Sequence, residues 1–302
     1  MSPQHLTFVG STTILALGVV AAAGLGVADF LGARASKHLG PITAAACVQV
    51  IGTITFCMWF VAFQRDIPHM SVVTVAYTIA GSLLIGAGVC TLYLAFEIGP
   101  VSLASPLSAA YPVVTTAVSV LVFHAALAPA QFIAVVFIAV GIMATSGLFG
   151  VRKSERRIGT GPRLALLTTL LWGLAYPLLG CAIDGAGWQS VTLVQFLVLI
   201  PTLGVAVCFR ARTEKVTLPL LANTLCNPYV VGAGILQMLA CLAINFGFEY
   251  GHAAGSLVVT VSSTYPIVTL LLAVLHFHER AEKWALAGAG TTIAGVVALQ
   301  YF

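Results

Sequence analysis

Two apolar segments, AAYPVVTTAVSVLVFHA at residues 109–125 and STYPIVTLLLAVLHFHE at residues 263–279, decide how this chain folds. Each is long and apolar enough for a helix, yet each carries a Tyr-Pro pair close to its start. Proline has no N–H to donate and its ring crowds the preceding turn, so a helix breaks or bends at that point. The same break at Pro112 and again at Pro266 indicates two copies of one structural unit.

The sequence around the two segments supports an internal duplication. Residues 111–146 align with residues 265–300 without a gap, and ten of the 36 pairs are identical. Similar motifs occur earlier in each half and in the same order: LGVAD (25–29) with WGLAY (172–176), CVQV (47–50) with LVQF (193–196), and FEIG (96–99) with FEYG (248–251). We therefore divide the chain into a first repeat at 1–150, a basic linker at 151–163 and a second repeat at 164–302, all within one membrane domain.

The composition is that of a protein surrounded by lipid. Hydrophobic residues make up 60% of the 302 residues and charged residues only 7%, too few to cover the surface of a water-soluble chain. The apolar runs are about 20 residues long and do not alternate in polarity, which favours an all-α membrane protein over a barrel of strands. Ten transmembrane helices are predicted, at roughly 11–33, 41–63, 72–95, 102–124, 129–149, 164–183, 189–209, 229–248, 254–277 and 283–301.

Five spans in each repeat have a topological consequence. Because five is an odd number, the second repeat must enter the bilayer in the opposite orientation to the first. Inverted repeats of this kind build secondary transporters, in which the substrate binds near the bilayer midplane between the repeats. The sequence therefore predicts two inverted five-helix repeats around a central site.

The basic residues predict the orientation of the chain. Twelve of the 13 lysines and arginines lie in the connections 1–2, 5–6, 7–8 and 9–10, and only Arg65 lies on the opposite side. Since basic loops stay in the cytoplasm, we expect a multi-pass protein of the cell (inner) membrane with both termini external. The net charge of +4 resides in these loops and gives no indication of nucleic-acid binding.

This pattern resembles the ten-helix, EamA-type members of the drug/metabolite transporter superfamily over the whole chain. The resemblance rests on the two five-helix repeats, the Trp172-Gly173 pair, the Tyr-Pro pair in each fourth span, and the start GLGVADFLG at residues 24–32, where Leu25 stands in place of a frequent tryptophan. It implies a central cavity lined by spans 1, 3, 4, 6, 8 and 9, and fourth and ninth spans that bend during alternating access. Several characterised members keep both termini inside the cell, whereas the charges here predict the reverse.

The two Tyr-Pro pairs are the first candidates for a functional site. The prolines free the carbonyl groups of the residues four positions earlier, and both of those residues are serines. Irregular backbone at this depth is tolerated only against protein or a water-filled cavity. The prediction is two hinges, Pro112 and Pro266, and substrate contacts from Ser108, Tyr111, Ser262 and Tyr265. An ordinary packing kink is the alternative.

Other polar and aromatic residues within the spans extend the candidate site. The further predicted substrate contacts are Tyr93, Trp172, Tyr176, Gln237 and Asn245. Asp29 is the one acidic residue clearly inside a predicted span and is a candidate for proton coupling; the alternative is an interfacial residue that marks the helix end. Gln49 and Gln195 occupy equivalent positions in spans 2 and 7, and they are expected to form interhelical hydrogen bonds.

Several conspicuous residues are interpreted as structural. Glu97 and Glu249 end spans 3 and 8 and are expected to be solvated caps. The histidines of HFHE (276–279) are two residues apart and so do not share a helix face, and no metal site is predicted. The seven cysteines lie mostly in apolar runs and form no C-x-x-C pair, which favours small buried residues over disulfides.

These observations favour a secondary transporter, most simply an exporter, of a small polar or amphipathic metabolite such as an amino acid or a related compound. No basic residue lies at the centre of a span, so we expect a neutral, zwitterionic or aromatic substrate. Neither a Walker loop nor a G-x-S-x-G or H-E-x-x-H motif occurs, and no enzyme activity or cofactor is predicted. The alternatives are a membrane scaffold and an intramembrane lipid-handling protein. The expected partners are a small-molecule substrate and the lipid bilayer. The expected oligomeric state is a monomer or a homodimer.

Overall fold

The computed structural model describes residues 3–63, 70–98, 104, 107–124, 128–145, 160–214, 218–277 and 283–298. These ranges are helical apart from short turns, and no strand occurs in them, which confirms the all-α class. The helices are α1 (Pro3–Leu39), α2 (Pro41–Phe63), α3 (Val72–Ile98), α4 (Tyr111–Leu121), α5 (Pro129–Thr145), α6 (Thr160–Glu214), α7 (Leu218–Leu225), α8 (Pro228–Phe248), α9 (His252–Ser262), α10 (Tyr265–Phe277) and α11 (Lys283–Ala298).

Within the described residues, five stretches are long and apolar enough to cross a bilayer: Thr12–Ser36, Pro41–Phe63, Val72–Ile98, Thr160–Arg210 and Pro228–Phe248. The fourth has 51 residues, about 76 Å of helix, which exceeds twice the ~30 Å of a hydrocarbon core. It is two spans, and they meet at Gly187, whose φ of 74° and ψ of 156° are not helical. Predicted spans 6 and 7 therefore join at one glycine instead of through a loop. We call residues 160–186 and 188–214 the first and second arms of α6.

The Tyr-Pro pairs begin new helices. Tyr111 starts α4 and Tyr265 starts α10, so each proline lies in a first helical turn, where its missing N–H leaves no intrahelical bond unmade. Predicted spans 4 and 9 are thus each interrupted by a turn, where the sequence predicted one bent helix. At the end of α9, the hydroxyl groups of Ser262, Ser263 and Thr264 donate to carbonyl groups three residues earlier, at 2.7 to 2.9 Å. The carbonyl oxygens of Val259 and Val261 also accept the backbone N–H groups of Ser263 and Thr264, so the hydroxyl groups reinforce the last turn of α9.

Other boundaries also differ from the sequence-based expectation. α1 extends from Pro3 to Leu39, beyond the predicted 11–33, and α7 occupies part of the predicted connection between spans 7 and 8. α6 continues through Pro177 with helical dihedral angles. Residues 151–159 of the basic linker and residues 278–279 of HFHE lie outside the described residues.

Glu97 and Glu249, equivalent residues of the two repeats, lie at opposite ends of the molecule. Arg210 Nη2 donates to both carboxylate oxygens of Glu97, at 2.7 and 3.0 Å, and the backbone N–H of Trp188 donates to Glu249 at 3.3 Å. Trp188 and Arg210 mark the two ends of the second arm of α6, about 33 Å apart at 1.5 Å per residue. Equivalent ends of α3 and α8 therefore point in opposite directions, as inversion requires. Both carboxylates are bonded to α6 and are not simply solvated caps.

Glycines bring the first span of each repeat against the break in the other repeat. A Cβ on Gly26 of α1 would lie 2.6 Å from Val268 Cβ and 2.7 Å from the carbonyl oxygen of Tyr265. A Cβ on Gly173 of α6 would overlap Val114 and lie 3.1 Å from the carbonyl oxygen of Tyr111. Small residues allow this close approach of backbones in membrane helices. We refer to Gly26 and Gly173 as the hinge glycines.

Candidate functional site

A central cavity of about 70 Å³ lies between the repeats. At roughly 10–15 Å³ for each water, it has room for about five water molecules in this conformation. Its walls come from α1, α2, α3, α4, both arms of α6, α8 and α10. The resemblance implied spans 1, 3, 4, 6, 8 and 9; the cavity touches those six and also α2 and the second arm of α6, which carry Gln49 and Gln195.

The lining combines one acid, neutral amides and aromatic rings. Its polar and aromatic side chains are Asp29, Gln49, Gln195, Gln237, Tyr93, Tyr111, Tyr176, Tyr265, Trp172 and Phe196. No lysine, arginine or histidine is among the described residues that line it. Seven of the predicted site residues are therefore brought together here: Asp29, Tyr93, Tyr111, Trp172, Tyr176, Gln237 and Tyr265.

The two breaks are joined by crossed hydrogen bonds. Ser262 Oγ donates to the carbonyl oxygen of Val259, so the hydroxyl group of Tyr111 donates to Ser262 Oγ, at 3.2 Å. In the symmetric contact, Ser108 Oγ and the hydroxyl oxygen of Tyr265 are 3.0 Å apart. All four side chains are buried. Each predicted serine thus contacts the tyrosine of the opposite repeat and lies behind the cavity wall.

Tyr111 is held in the wall by two aromatic neighbours. Its ring packs edge-on against Trp172, with centroids 5.6 Å apart, and stacks on Tyr176 at 5.4 Å. Trp172 Nε1 donates to the carbonyl oxygen of Ile85 on α3, at 3.3 Å. Offset and edge-to-face pairs are the favoured aromatic geometries, so the side chains of this wall are well ordered before any ligand binds.

The amide side chains divide between the wall and its support. Asn245 Nδ2 donates to Gln195 Oε1 at 2.9 Å and to Thr192 Oγ1 at 2.8 Å. Asn245 does not line the cavity; it holds Gln195, which does. The predicted interhelical bond of Gln195 is therefore present, between α6 and α8. Gln49 instead donates to Thr53 Oγ1 of its own helix, at 3.3 Å.

Asp29 lies in the cavity wall, with one carboxylate oxygen left unpaired. Its Oδ2 is buried and has no hydrogen-bond partner within the part of the chain that the structure describes. α1 continues ten residues beyond Asp29, about 15 Å, so this acid does not mark a helix end. The guanidinium group of Arg34 lies 5.0 Å over the ring of Tyr229. Proton coupling through Asp29 stays a prediction.

A cluster that sequence reasoning missed joins spans 4 and 9 at the Trp188 end of the second arm. Ser119 Oγ and Ser256 Oγ are 3.1 Å apart, and the rings of Phe123 and His252 stack at 5.6 Å. His252 Nε2 lies 2.9 Å from Asp184 Oδ2. No sequence signal pairs these residues, because they meet only when the repeats interlock. Together they hold spans 4 and 9 and the first arm of α6 against each other at this end of the molecule.

Fold and site define a multi-span membrane protein of two inverted repeats around a central cavity. The sequence profile of the EamA-like transporter family matches residues 12–147 and again residues 160–301. The chain therefore belongs to the EamA-like transporter family.

Two further comparisons agree with this architecture. An uncharacterized protein from Methanocaldococcus jannaschii is 29% identical over 134 residues, a stretch that covers 44% of this chain and 96% of that protein. That relative is thus about as long as one repeat. A solved crystal structure with 14% sequence identity covers 95% of this chain and is itself covered to 96%, with a TM-score of 0.72. At that identity, the likeness concerns the fold alone.

Proposed function

We propose that the protein is a secondary transporter that exports a small polar or amphipathic metabolite, an amino acid or a related compound, by alternating access. The observation that carries the proposal is the crossed pair of hydrogen bonds, Tyr111 with Ser262 and Ser108 with Tyr265, at two symmetric helix breaks beside the cavity. Each break is bonded to the other, so movement at one break changes the contacts of both.

The strength of these bonds suits a reversible movement. Interhelical hydrogen bonds in bilayers contribute about 0.6 kcal/mol on average, with a maximum of about 1.7 kcal/mol. Two such bonds are strong enough to define one conformation and weak enough to exchange in a cycle of microseconds to milliseconds. Because the helices are already interrupted before Tyr111 and Tyr265, their two parts move separately without loss of an intact helical ladder.

The basic connections and the packing at the Trp188 end of the molecule both favour export. Basic connections are retained in the cytoplasm, which favours a cytoplasmic Arg210 end and an external Trp188 end. Two cavity residues lie toward the Arg210 end: Asp29 precedes Arg34 by five residues, and Tyr93 precedes Glu97 by four. The stacked rings of Phe123 and His252, which hold spans 4 and 9 together, lie at the other end. This arrangement favours loading from the cytoplasm, as export requires.

The test is transport by the purified protein in lipid vesicles, with labelled neutral amino acids and aromatic amines as candidate solutes. The double variant Pro112→Ala with Pro266→Ala should slow transport at least about tenfold, equivalent to ~1.4 kcal/mol, because continuous helices replace the breaks. Pro201→Ala is the matched control, since this exposed proline lies inside α6 without a break, and transport should not change. If the double variant transports at the wild-type rate, Pro112 and Pro266 do not act as hinges in transport. No accelerated flux of any candidate solute by the wild-type protein would favour the scaffold or lipid-handling alternatives.

Proton coupling is tested separately. In vesicles with an imposed pH gradient, we expect wild-type transport to respond to the gradient and Asp29→Asn transport to ignore it. If Asp29→Asn keeps the wild-type dependence on pH, coupling does not pass through this carboxylate.

A further inference from the structure

We infer that the central cavity binds a small organic monocation, with Asp29 as its counter-ion and the aromatic wall around its apolar body. The inference rests on the proposed transport function and narrows the substrate class from polar or amphipathic metabolites to organic monocations. The same carboxylate then holds either the cation or a proton.

The charge balance of the cavity carries the first step. Asp29 faces the cavity, its Oδ2 is buried without a partner, and no basic side chain is among the described residues of the lining. An unpaired carboxylate in a region shielded from water is strongly disfavoured unless a proton or a cation neutralises it. The guanidinium group of Arg34, also on α1, lies 5.0 Å over the ring of Tyr229, and Arg34 is not among the residues that line the cavity. The neutralising charge must therefore come from outside the wall.

The aromatic lining carries the second step. Six rings surround the cavity, those of Tyr93, Tyr111, Trp172, Tyr176, Phe196 and Tyr265. Aromatic faces attract cations through their quadrupole, and the attraction strengthens when water is excluded. A Cβ on Gly32 would lie 2.8 Å from the hydroxyl oxygen of Tyr93, so this ring packs against α1 within one turn of Asp29. The counter-ion and the ring of Tyr93 thus occupy the same part of the cavity.

The same balance disfavours other small ligands. A zwitterion adds a second carboxylate to a cavity that already holds one, and a phosphate adds more negative charge still. The neutral amides of Gln49, Gln195 and Gln237 donate hydrogen bonds but bring no positive charge to offset either group. A monocation is the ligand that leaves the occupied cavity neutral.

Proton and cation are expected to exclude one another at Asp29. The other titratable groups that face this cavity are Tyr93, Tyr111, Tyr176, Tyr265 and Cys241, all neutral at pH 7 in their ordinary state. Asp29 is therefore the group whose charge responds to a bound cation. A shared site of this kind exchanges one proton for one substrate cation as the two ends open in turn.

Phenethylamine, phenylalanine and 2-phenylethanol form a matched set of probes, cationic, zwitterionic and neutral. Their binding to the purified full-length protein is measured by calorimetry at pH 8 and at pH 5.5. We expect phenethylamine to bind most tightly at pH 8, and its affinity to fall about 10- to 100-fold in Asp29→Asn, the range for a lost charge-assisted contact. Glu249→Gln, which neutralises an acid outside the cavity, should bind phenethylamine like the wild type. Lowering the pH to 5.5 should weaken wild-type binding but not binding by Asp29→Asn.

Several results would overturn the inference. These are equal phenethylamine affinity in wild type and Asp29→Asn, no preference for phenethylamine over 2-phenylethanol, and tighter binding of phenylalanine. Asp29→Glu keeps the negative charge, so its affinity for phenethylamine should stay within about tenfold of the wild type. If Asp29→Asn does not fold, Asp29→Glu is the deciding variant, and loss of phenethylamine binding by it counts against the inference. Vesicle flux of other solutes would leave the transport proposal standing when the cation inference fails.

Discussion

Replacing one methylene hydrogen of Gly26 by a methyl group should strain the contact between the first span and the opposite break. The new Cβ would lie 2.6 Å from Val268 Cβ and 2.7 Å from the carbonyl oxygen of Tyr265. Non-bonded carbon atoms prefer about 3.5–4.0 Å, so α1 must withdraw from α10 by roughly 1 Å. Neither obstacle can rotate away, since one is backbone and the other is attached directly to it. Overpacking of this kind costs about 1–3 kcal/mol.

Two further glycine variants make the prediction specific. Gly173→Ala meets Val114 and the carbonyl oxygen of Tyr111 in the equivalent contact, so it should cost the same 1–3 kcal/mol, approximately. Gly204→Ala adds a Cβ with nothing within 4 Å, in a helix where alanine is favoured over glycine by about 0.5–1 kcal/mol. The alanine variants at the two hinge glycines should therefore differ in stability from Gly204→Ala by roughly 1.5–4 kcal/mol when these terms are combined.

The free energy of unfolding of each variant is measured in mixed micelles with an increasing fraction of denaturing detergent. The transport rate of the same variants is measured in vesicles. We expect Gly26→Ala and Gly173→Ala to unfold at lower detergent fractions than the wild type and to transport more slowly, because the first span no longer fits the break. If Gly26→Ala is within about 0.5 kcal/mol of Gly204→Ala, the first span does not contact the break as closely as described, and the reasoning fails.

Two other contacts between the repeats yield predictions for the same unfolding assay. In a double-mutant cycle, Tyr111→Phe and Ser262→Ala should show a coupling energy of about 0.6–1.7 kcal/mol, and a coupling near zero would mean that this bond contributes nothing to stability. Glu97→Gln, which removes the ion pair with Arg210, should cost about 0.2–1 kcal/mol at low salt and less in 1 M salt, because both side chains are partly exposed and salt screens them. An equal cost at both salt concentrations would contradict an ion pair.

The breaks at the Tyr-Pro pairs were predictable because their cause is local. Proline acts on the turn that contains it, wherever the helix packs, so sequence alone located the two irregular points, although it predicted a bend inside one helix rather than the start of a new one. The partner of each tyrosine was not predictable in the same way. Ser108 precedes Tyr111 by one turn, yet its hydroxyl group pairs with Tyr265, because the repeats interlock at the breaks. Such pairings depend on how two separate helices approach each other.

Two residues of α8, Gln237 and Asn245, were predicted to contact substrate, and only Gln237 lines the cavity. Gln237, Cys241 and Ile244 of α8 follow helical spacing and line the cavity, whereas Asn245, one residue and about 100° further, faces the second arm of α6. An apolar span has no polar face to show which side meets the cavity, since lipid and protein both accept leucine. The sequence therefore identified the correct helix and left the face open.

The symmetry of the repeats extends to the two helix breaks but not to the contacts at the two ends of the molecule. At the Trp188 end, Ser119 bonds to Ser256 and Phe123 stacks on His252. In the alignment of the repeats, Ser119 corresponds to Ala273, which has no hydroxyl group, and His252 corresponds to Pro100, which has no aromatic ring. Under the proposed alternating access, the Arg210 end would therefore close through different side chains. In that cycle, one conformation is closed at the Trp188 end and open toward Arg210, and the other is the reverse. We expect the hydrogen bond and the ring stack at the Trp188 end to stabilise the first of these conformations relative to the second.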